Sequence, residues 1–396
     1  MLVMGIYDFV IGIGIGILLA FVSLIFQTSR VSAVTATYAG DIVGSTVRRN
    51  PTQQHYLKKV GRQIYLIKLA GFLFFGTVVT LEEKVRELIA DNEFSQRPIK
   101  YLILDLRQVT GLDYSEGEAF NTISRLLKAK QVVLVLSGVG EEDPIGRELL
   151  AVGLGSSDKD TRLMFCPTLN SALESCENEL LKTFYTSQDA VQTAHPKPTD
   201  SLDVPGKKSL SPALDLISSS PRRSHLHAAA RESLTPNEVT RLSRWQIFKE
   251  PIRLMLQIFQ DLSDKNEDFW VRAKDYFVRR ELSEGEIVFR TGEEPNGFYL
   301  VERGILRAEY NLPQGWLCES IVAGTTCGEL PFFSETKRTA TALAERDTVV
   351  WEMDKENWDK MQKEEPDVAQ ELLRISLKLT SERMSSITSY VLTMAG

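Results

Sequence analysis

CGELPFFSETKRTAT (residues 327–341) places one carboxylate, Glu329, nine positions ahead of one guanidinium, Arg338, with a glycine before the first and small residues after the second. An acid and a base held this way on a short loop suit a small ligand that presents a hydroxyl to one and an anion to the other. A surface ion pair would use the same two residues. The surrounding text says what kind of loop it is. EGEIVFRTGEEPNGFYLVERGILRAEY and GWLCESIVAGTTCGEL are short β-prone runs, cut by turns at Gly285, Gly292, Gly304 and Gly324. VVWEMD (349–354) is one more such run. Many short strands with closely spaced turn signals predict a small all-β barrel. Helical patterns flank it: SRWQIFKEPIRLMLQIFQDL and NEDFWVRAKDYF before, and residues 355–392 after, with a break near Pro366.

Ahead of this region the pattern differs. Apolar runs IYLIKLAG, IKYLILDL (99–106) and QVVLVLSGV (131–139) alternate with helical stretches such as TVVTLEEKVRELIADN, and a short strand RLMFC precedes a helix over 168–185. Alternation of strands and helices over 62–185 predicts an α/β layer. Residues 186–240 are rich in Ser, Thr and Pro and read as a disordered linker. Its Ser211-Pro212, Ser220-Pro221 and Thr235-Pro236 dipeptides fit proline-directed phosphorylation or a plain linker.

The chain has 396 residues and a formal net charge of -7, which argues against nucleic acid as a partner. Its four cysteines form no Cys-x-x-Cys pair and its four histidines no zinc spacing, so no metal site is expected. Phe9 to Phe26 reads FVIGIGIGILLAFVSLIF, uncharged and just long enough to cross a bilayer core. A signal peptide and a buried soluble helix are the alternatives. The glycines suit close helix packing in a membrane. Arg30, Arg48, Arg49, Lys58 and Lys59 follow, which puts the downstream chain on the cytosolic side. Residues 31–60 read as a polar connector near the membrane.

Two families are visible in these motifs. LDLRQVTGLDYSEGEAF sets Asp105 at a strand end and Asp113-Tyr114-Ser115 before a helix. With it, 62–185 resembles a STAS domain, and Ser115 falls where bacterial anti-sigma factor antagonists carry a phosphorylated serine. The family glycine after that serine is Glu116 here, a like charge beside a phosphate, and a plain helix cap is the other role for Ser115. Gly328-Glu329-Leu330-Pro331 followed by Lys337-Arg338-Thr339-Ala340 resembles the cassette of cyclic nucleotide-binding domains. That resemblance implies that Glu329 accepts a ribose hydroxyl and Arg338 pairs with the cyclic phosphate of cAMP or cGMP, within a site of Gly328, Glu329, Leu330, Arg338 and Thr339. Pro331 departs from the family, because a residue whose N–H meets the phosphate is here one that has none. A retained fold in which Glu329 and Arg338 pair with neighbours is the alternative.

The order of parts resembles the C-terminal region of fungal SulP-type (sulfate permease-like) transporters. The expected fold is therefore multidomain: a transmembrane helix at 8–30, an α/β STAS domain at 62–185, the linker at 186–240, and a jelly-roll-like β-barrel with flanking helices at 241–392. The resemblance implies a regulatory region facing the cytosol, not transport-competent alone, in a membrane that could be vacuolar. No enzyme activity and no catalytic residues are expected. The implied partners are membrane lipid, other transmembrane helices, a transporter core, a cyclic nucleotide and a second copy as a homodimer. Ligand at Glu329 and Arg338 is expected to reposition the C-terminal helix, 367–392. A free-standing membrane-tethered signalling adaptor is the alternative function.

Overall fold

The computed structural model describes residues 9–29, 32–96, 98–151, 154, 163–194, 225–226, 228–230, 245, 247–259, 262–313 and 315–395. The chain divides into two compact units, one of residues 1–40, 62–176 and 396, the other of 41–61 and 177–395.

In chain order the elements begin with α1 (Phe9–Ser29), β1 (Val34–Ala39), α2 (Pro51–Val60), β2 (Ile64–Leu73), α3 (Phe75–Ile89) and α4 (Asp91–Gln96). There follow β3 (Tyr101–Leu112), α5 (Tyr114–Ala129), β4 (Val133–Ser137), α6 (Pro144–Ala151), β5 (Leu163–Cys166) and α7 (Leu169–Ala194). The first unit is built on one five-stranded sheet in the order β1-β2-β3-β4-β5. Strands β2 to β5 run parallel and β1 antiparallel to β2. Strand β4 is buried along its whole length. That is why QVVLVLSGV reads as an unbroken apolar run: a parallel strand covered on both faces has no polar side to show. Helices α3 and α5 deliver Leu81, Val85, Phe120, Ile123 and Leu127 to this core.

Strand β3 does not end at Asp105 as the pattern suggests. It continues to Leu112 beside β2, with Leu73 opposite Leu112, through two shifts of register. The backbone groups past Asp105 need partners, and the far end of β2 supplies them. Asp105 is therefore a buried mid-strand residue, 4 % exposed, that accepts from the Ser137 hydroxyl at 3.3 Å. Helix α5 starts at Tyr114, so the cap position falls on Asp113 and Ser115 lies inside the first turn.

The expected connector at 31–60 contains a strand and a helix. Asn50 caps α2 by accepting from the Gln53 N–H at 2.8 Å, and Pro51 opens the helix. These are ordinary start signals, a capping side chain followed by a proline at the first helical position.

The membrane span expected at 8–30 forms as helix α1, but the structure does not support it as a span: among the described residues no helix is long and apolar enough to cross a membrane. The expected linker, 186–240, lies mostly outside the described residues, as do its Ser-Pro and Thr-Pro dipeptides. Within it Leu226, Ala229 and Ala230 are buried.

The second unit continues with α8 (Ile252–Phe259), α9 (Glu267–Val271), β6 (Val278–Leu282), β7 (Ile287–Phe289), β8 (Gly297–Arg303), β9 (Ile305–Leu312), β10 (Gly315–Val322) and β11 (Thr326–Cys327). It closes with α10 (Glu329–Ser334), β12 (Thr341–Ala344), β13 (Thr348–Asp354), α11 (Lys355–Glu364) and α12 (Pro366–Ala395). Two four-stranded antiparallel sheets, β10-β9-β12-β7 and β11-β8-β13-β6, enclose Leu282, Val301, Leu306, Ile321, Ala342 and Val350. A second apolar cluster joins α8, α9, α11 and α12 around Phe259, Trp270, Phe298, Met361 and Leu372. Pro366 separates the last two helices, as its missing N–H and fixed φ require.

Candidate functional site

The loop quoted at the outset lies between β11 and β12, with Gly328 at φ 79 immediately before helix α10. A Cβ at Gly328 would lie 2.5 Å from Arg338 Nη1. Both the left-handed backbone and the approach of the guanidinium therefore ask for glycine. Glu329 is 2 % exposed and Arg338 3 % exposed. The structure thus brings Gly328, Glu329 and Arg338 together, with the acid and the base both buried. Leu330 and Thr339, from the same motif, are exposed.

Arg338 turns toward main chain. Its Nη1 donates to the Gly328 carbonyl at 2.9 Å and its Nη2 to the Gly297 carbonyl. Its guanidinium carbon stands 4.1 Å from the centre of the Phe289 ring. Its Nε is buried with no hydrogen-bond partner among the described residues. Burial lowers the affinity of this guanidinium for its proton, partly offset by Tyr299, Cys327, Glu293 and Glu329.

Glu329 meets a different cation. Arg48 Nη1 lies 3.0 Å from Glu329 Oε1 and 3.1 Å from Oε2, and donates to the Thr326 carbonyl at 2.5 Å. Arg48 Nε reaches Oε1 of Glu319 on β10 at 3.5 Å. Glu319, 4 % exposed, also accepts from the Tyr310 hydroxyl at 3.1 Å and from Arg383 on α12. Two buried carboxylates and two half-buried guanidiniums thus form one charge-balanced chain running from the cassette to the C-terminal helix. Burial would raise the Glu329 carboxyl, but Arg48 and then Arg383 outweigh it and hold the group below the ordinary carboxylate range. Burial likewise opposes charge on Arg48, and Glu329 and Glu319 keep it firmly protonated.

Arg48 is placed by main-chain pairing. Its N–H donates to the Ser320 carbonyl at 2.8 Å, and the Val322 N–H donates to the Arg48 carbonyl at 3.3 Å, a parallel bridge to β10. Thr46 Oγ1 donates to the Cys318 carbonyl at 3.4 Å. The neighbouring Arg49 is held by Glu177 on α7 at 3.0 Å and by Asn178 at 2.9 Å. Glu177 also accepts from the N–H and the hydroxyl of Ser45, at 2.7 and 2.6 Å. Downstream, the Tyr56 ring on α2 lies 4.9 Å from that of Phe184 on α7.

Two of the basic residues that the sequence reading used to set the cytosolic side, Arg48 and Arg49, are therefore partners of buried carboxylates. Sequence reasoning missed Arg48 as a site residue. No local spacing ties it to a glutamate 281 positions on. The one available signal was the capped helix start at Asn50-Pro51, which marks the stretch as folded.

Residues 279–365 match the cyclic nucleotide-binding domain family, and residues 56–144 match the STAS domain family. The chain carries both domains, in the order the sequence suggests. It is similar to the vacuolar basic amino acid transporter VSB1 of Saccharomyces cerevisiae, 30% identical over 435 residues that take in 99% of this chain and 41% of that protein. The expected resemblance to the C-terminal part of a fungal SulP-type transporter holds, and the chain spans about two fifths of the length of that relative. Among solved structures, a cyclic nucleotide-binding domain from Methylobacillus flagellatus KT is 16% identical, covering 36% of this chain and 83% of that one at a TM-score of 0.34. The catabolite activator protein of Thermus thermophilus is 25% identical, covering 34% and 62% at a TM-score of 0.29. Both likenesses are weak, and the domain assignment stands on the family matches.

Proposed function

We propose that this chain is the cytosol-facing regulatory region of a SulP-type solute transporter. In this reading the STAS domain bears on the transporter core, the cyclic nucleotide-binding fold is a regulatory module, and the uncharged run from Phe9 to Phe26 is the part that enters the membrane. The observation that supports it is the continuity of the similarity, which runs through 99% of the chain along one fungal transporter, across both domains and what joins them. A transport site needs several helices around it. One apolar helix cannot supply that, so the chain acts with a membrane core. The name of the yeast relative makes basic amino acids the solute class, and the vacuolar membrane the setting, that we infer.

A chimera tests this. The matching region of the yeast transporter is replaced by this chain, in cells lacking the native protein, and uptake of labelled arginine and lysine into isolated vacuoles is measured. Uptake above that of the core without any regulatory region is expected. Uptake equal to that of the bare core, with the chimera present in the vacuolar membrane, overturns the reading.

A further inference from the structure

The residue that the cassette motif offers to a ligand already has one. Glu329 presents both carboxylate oxygens to Arg48, at 3.0 and 3.1 Å, in a place that is 2 % exposed. A ligand hydroxyl could donate to these oxygens only after Arg48 had left. Leaving is opposed on several sides. The same guanidinium contacts Glu319 and the Thr326 carbonyl. Its backbone is paired with β10 on both its N–H and its carbonyl. Arg49, one residue on, is fixed to Glu177. The phosphate side of the cassette is also altered. Pro331 has no N–H to donate, and both terminal nitrogens of Arg338 are bonded to carbonyls of the fold.

We propose that residues 41–61 are a built-in occupant of this cyclic nucleotide-binding fold, with Arg48 as the ligand of Glu329 and Glu319 in place of a ribose hydroxyl. The cassette is then a guanidinium site whose partner is a segment of the same chain, and cyclic nucleotides are excluded from it. The site communicates with α12 without any diffusible ligand, because Glu319 holds Arg48 with one oxygen and Arg383 of α12 with the other. A guanidinium is suited to this work: its rigid fork sets Nε on Glu319 and Nη1 on Glu329 and the Thr326 carbonyl, donors on two separate nitrogens where an ammonium has only one. The inference rests on the cyclic nucleotide-binding fold of 279–365 and is independent of the transporter reading.

The test is chemical rescue in the full chain. R48A removes the occupant and leaves Glu329 and Glu319 facing a guanidinium-sized gap. Methylguanidinium at millimolar concentration is expected to raise the Tm of R48A by about 4 °C, a shift of the size that ligand binding to a folded domain produces. It should leave wild type and R48A/E329Q unmoved, and methylammonium should not substitute for it. Neither cAMP nor cGMP should shift the wild-type Tm. Absence of rescue in R48A, equal rescue in R48A/E329Q, or stabilisation of wild type by either cyclic nucleotide overturns the proposal. Should R48A not fold, R48K decides by hydrogen exchange. Its ammonium can reach Glu329 but cannot span to Glu319, so amides of 46–50 and of the turn around Arg383 should exchange faster than in wild type. Exchange identical to wild type in both places overturns the proposal.

Discussion

Arg48 Nη1 and Glu329 Oε1 stand 3.0 Å apart across 281 positions of chain, and both side chains are nearly shut off from solvent. A buried pair of this kind adds little net stability over an apolar pair, but breaking it on one side leaves a stranded charge. R48A and E329A should each cost about 3–5 kcal/mol of stability in the second unit. R48M/E329Q, which removes both charges and keeps the volume, should recover most of that loss. Thermal melts of wild type, R48M, E329Q and R48M/E329Q close the cycle that gives the coupling. Strictly additive losses would mean that the two residues do not act as a pair.

The same pair sets a pH dependence. The Glu329 carboxyl would be raised by burial, yet Arg48 and Arg383 hold it below its ordinary value. A carboxyl depressed in the folded state binds its proton more weakly there than in the unfolded chain. Its contribution to stability is therefore complete above the ordinary carboxylate range and is lost as pH falls through the lower, folded value. Tm measured from neutral to acid pH should fall in that window in wild type, and E329Q should flatten this part of the profile while lowering Tm at neutral pH. A profile as steep in E329Q as in wild type would assign the acid sensitivity to other carboxylates.

Much of this unit was legible because its signals are local. The glycines at 285, 292, 304 and 324 all adopt left-handed φ, and Gly328 before Glu329 does as well, so turn chemistry alone outlined the strands. Pro366 marked the helix break for the same reason. The parallel strands of the first unit were visible as apolar runs, though Asp105 looked like a strand end. A polar residue inside a buried strand breaks the run, and it is tolerated because the Arg107 N–H and the hydroxyl of Ser137, 32 positions away, both donate to its Oδ1. Arg48 was illegible for a related reason. A basic residue after an apolar helix has a generic explanation in membrane topology, and its true partners lie far along the chain.

Gly328 gives a third expectation. At φ 79 it occupies backbone space that L side chains enter at a cost of roughly 1–2 kcal/mol. A Cβ there would also press to 2.5 Å on Arg338 Nη1, a nitrogen fixed by the Gly328 carbonyl and backed by Phe289. G328A should therefore destabilise the second unit by about 2 kcal/mol or more. Substituting alanine at Gly285, which has a similar φ but no atom of the described residues within 4 Å of the new Cβ, should cost only the backbone part. The difference between the two melts isolates the approach of Arg338. Equal losses would show that the guanidinium moves aside freely.

Cys327, the residue before that glycine, reports on whether the cassette opens. It is 1 % exposed, and burial pushes its thiol up to about 12, against the pull of Arg48 and Arg338. The thiolate is the reactive form, so at mildly alkaline pH the native residue should be inert to iodoacetamide, while Cys318, half-buried on β10, should react first. Labelling followed by peptide mass analysis checks the order. In R48A the cassette loses the contact that Arg48 makes with the Thr326 carbonyl, one residue from this thiol, and solvent gains access to it. Labelling of Cys327 should then become faster than in wild type, while labelling of Cys166 in the first unit stays as it was. Equal acceleration at both cysteines would mean that the substitution loosens the whole chain and not the cassette.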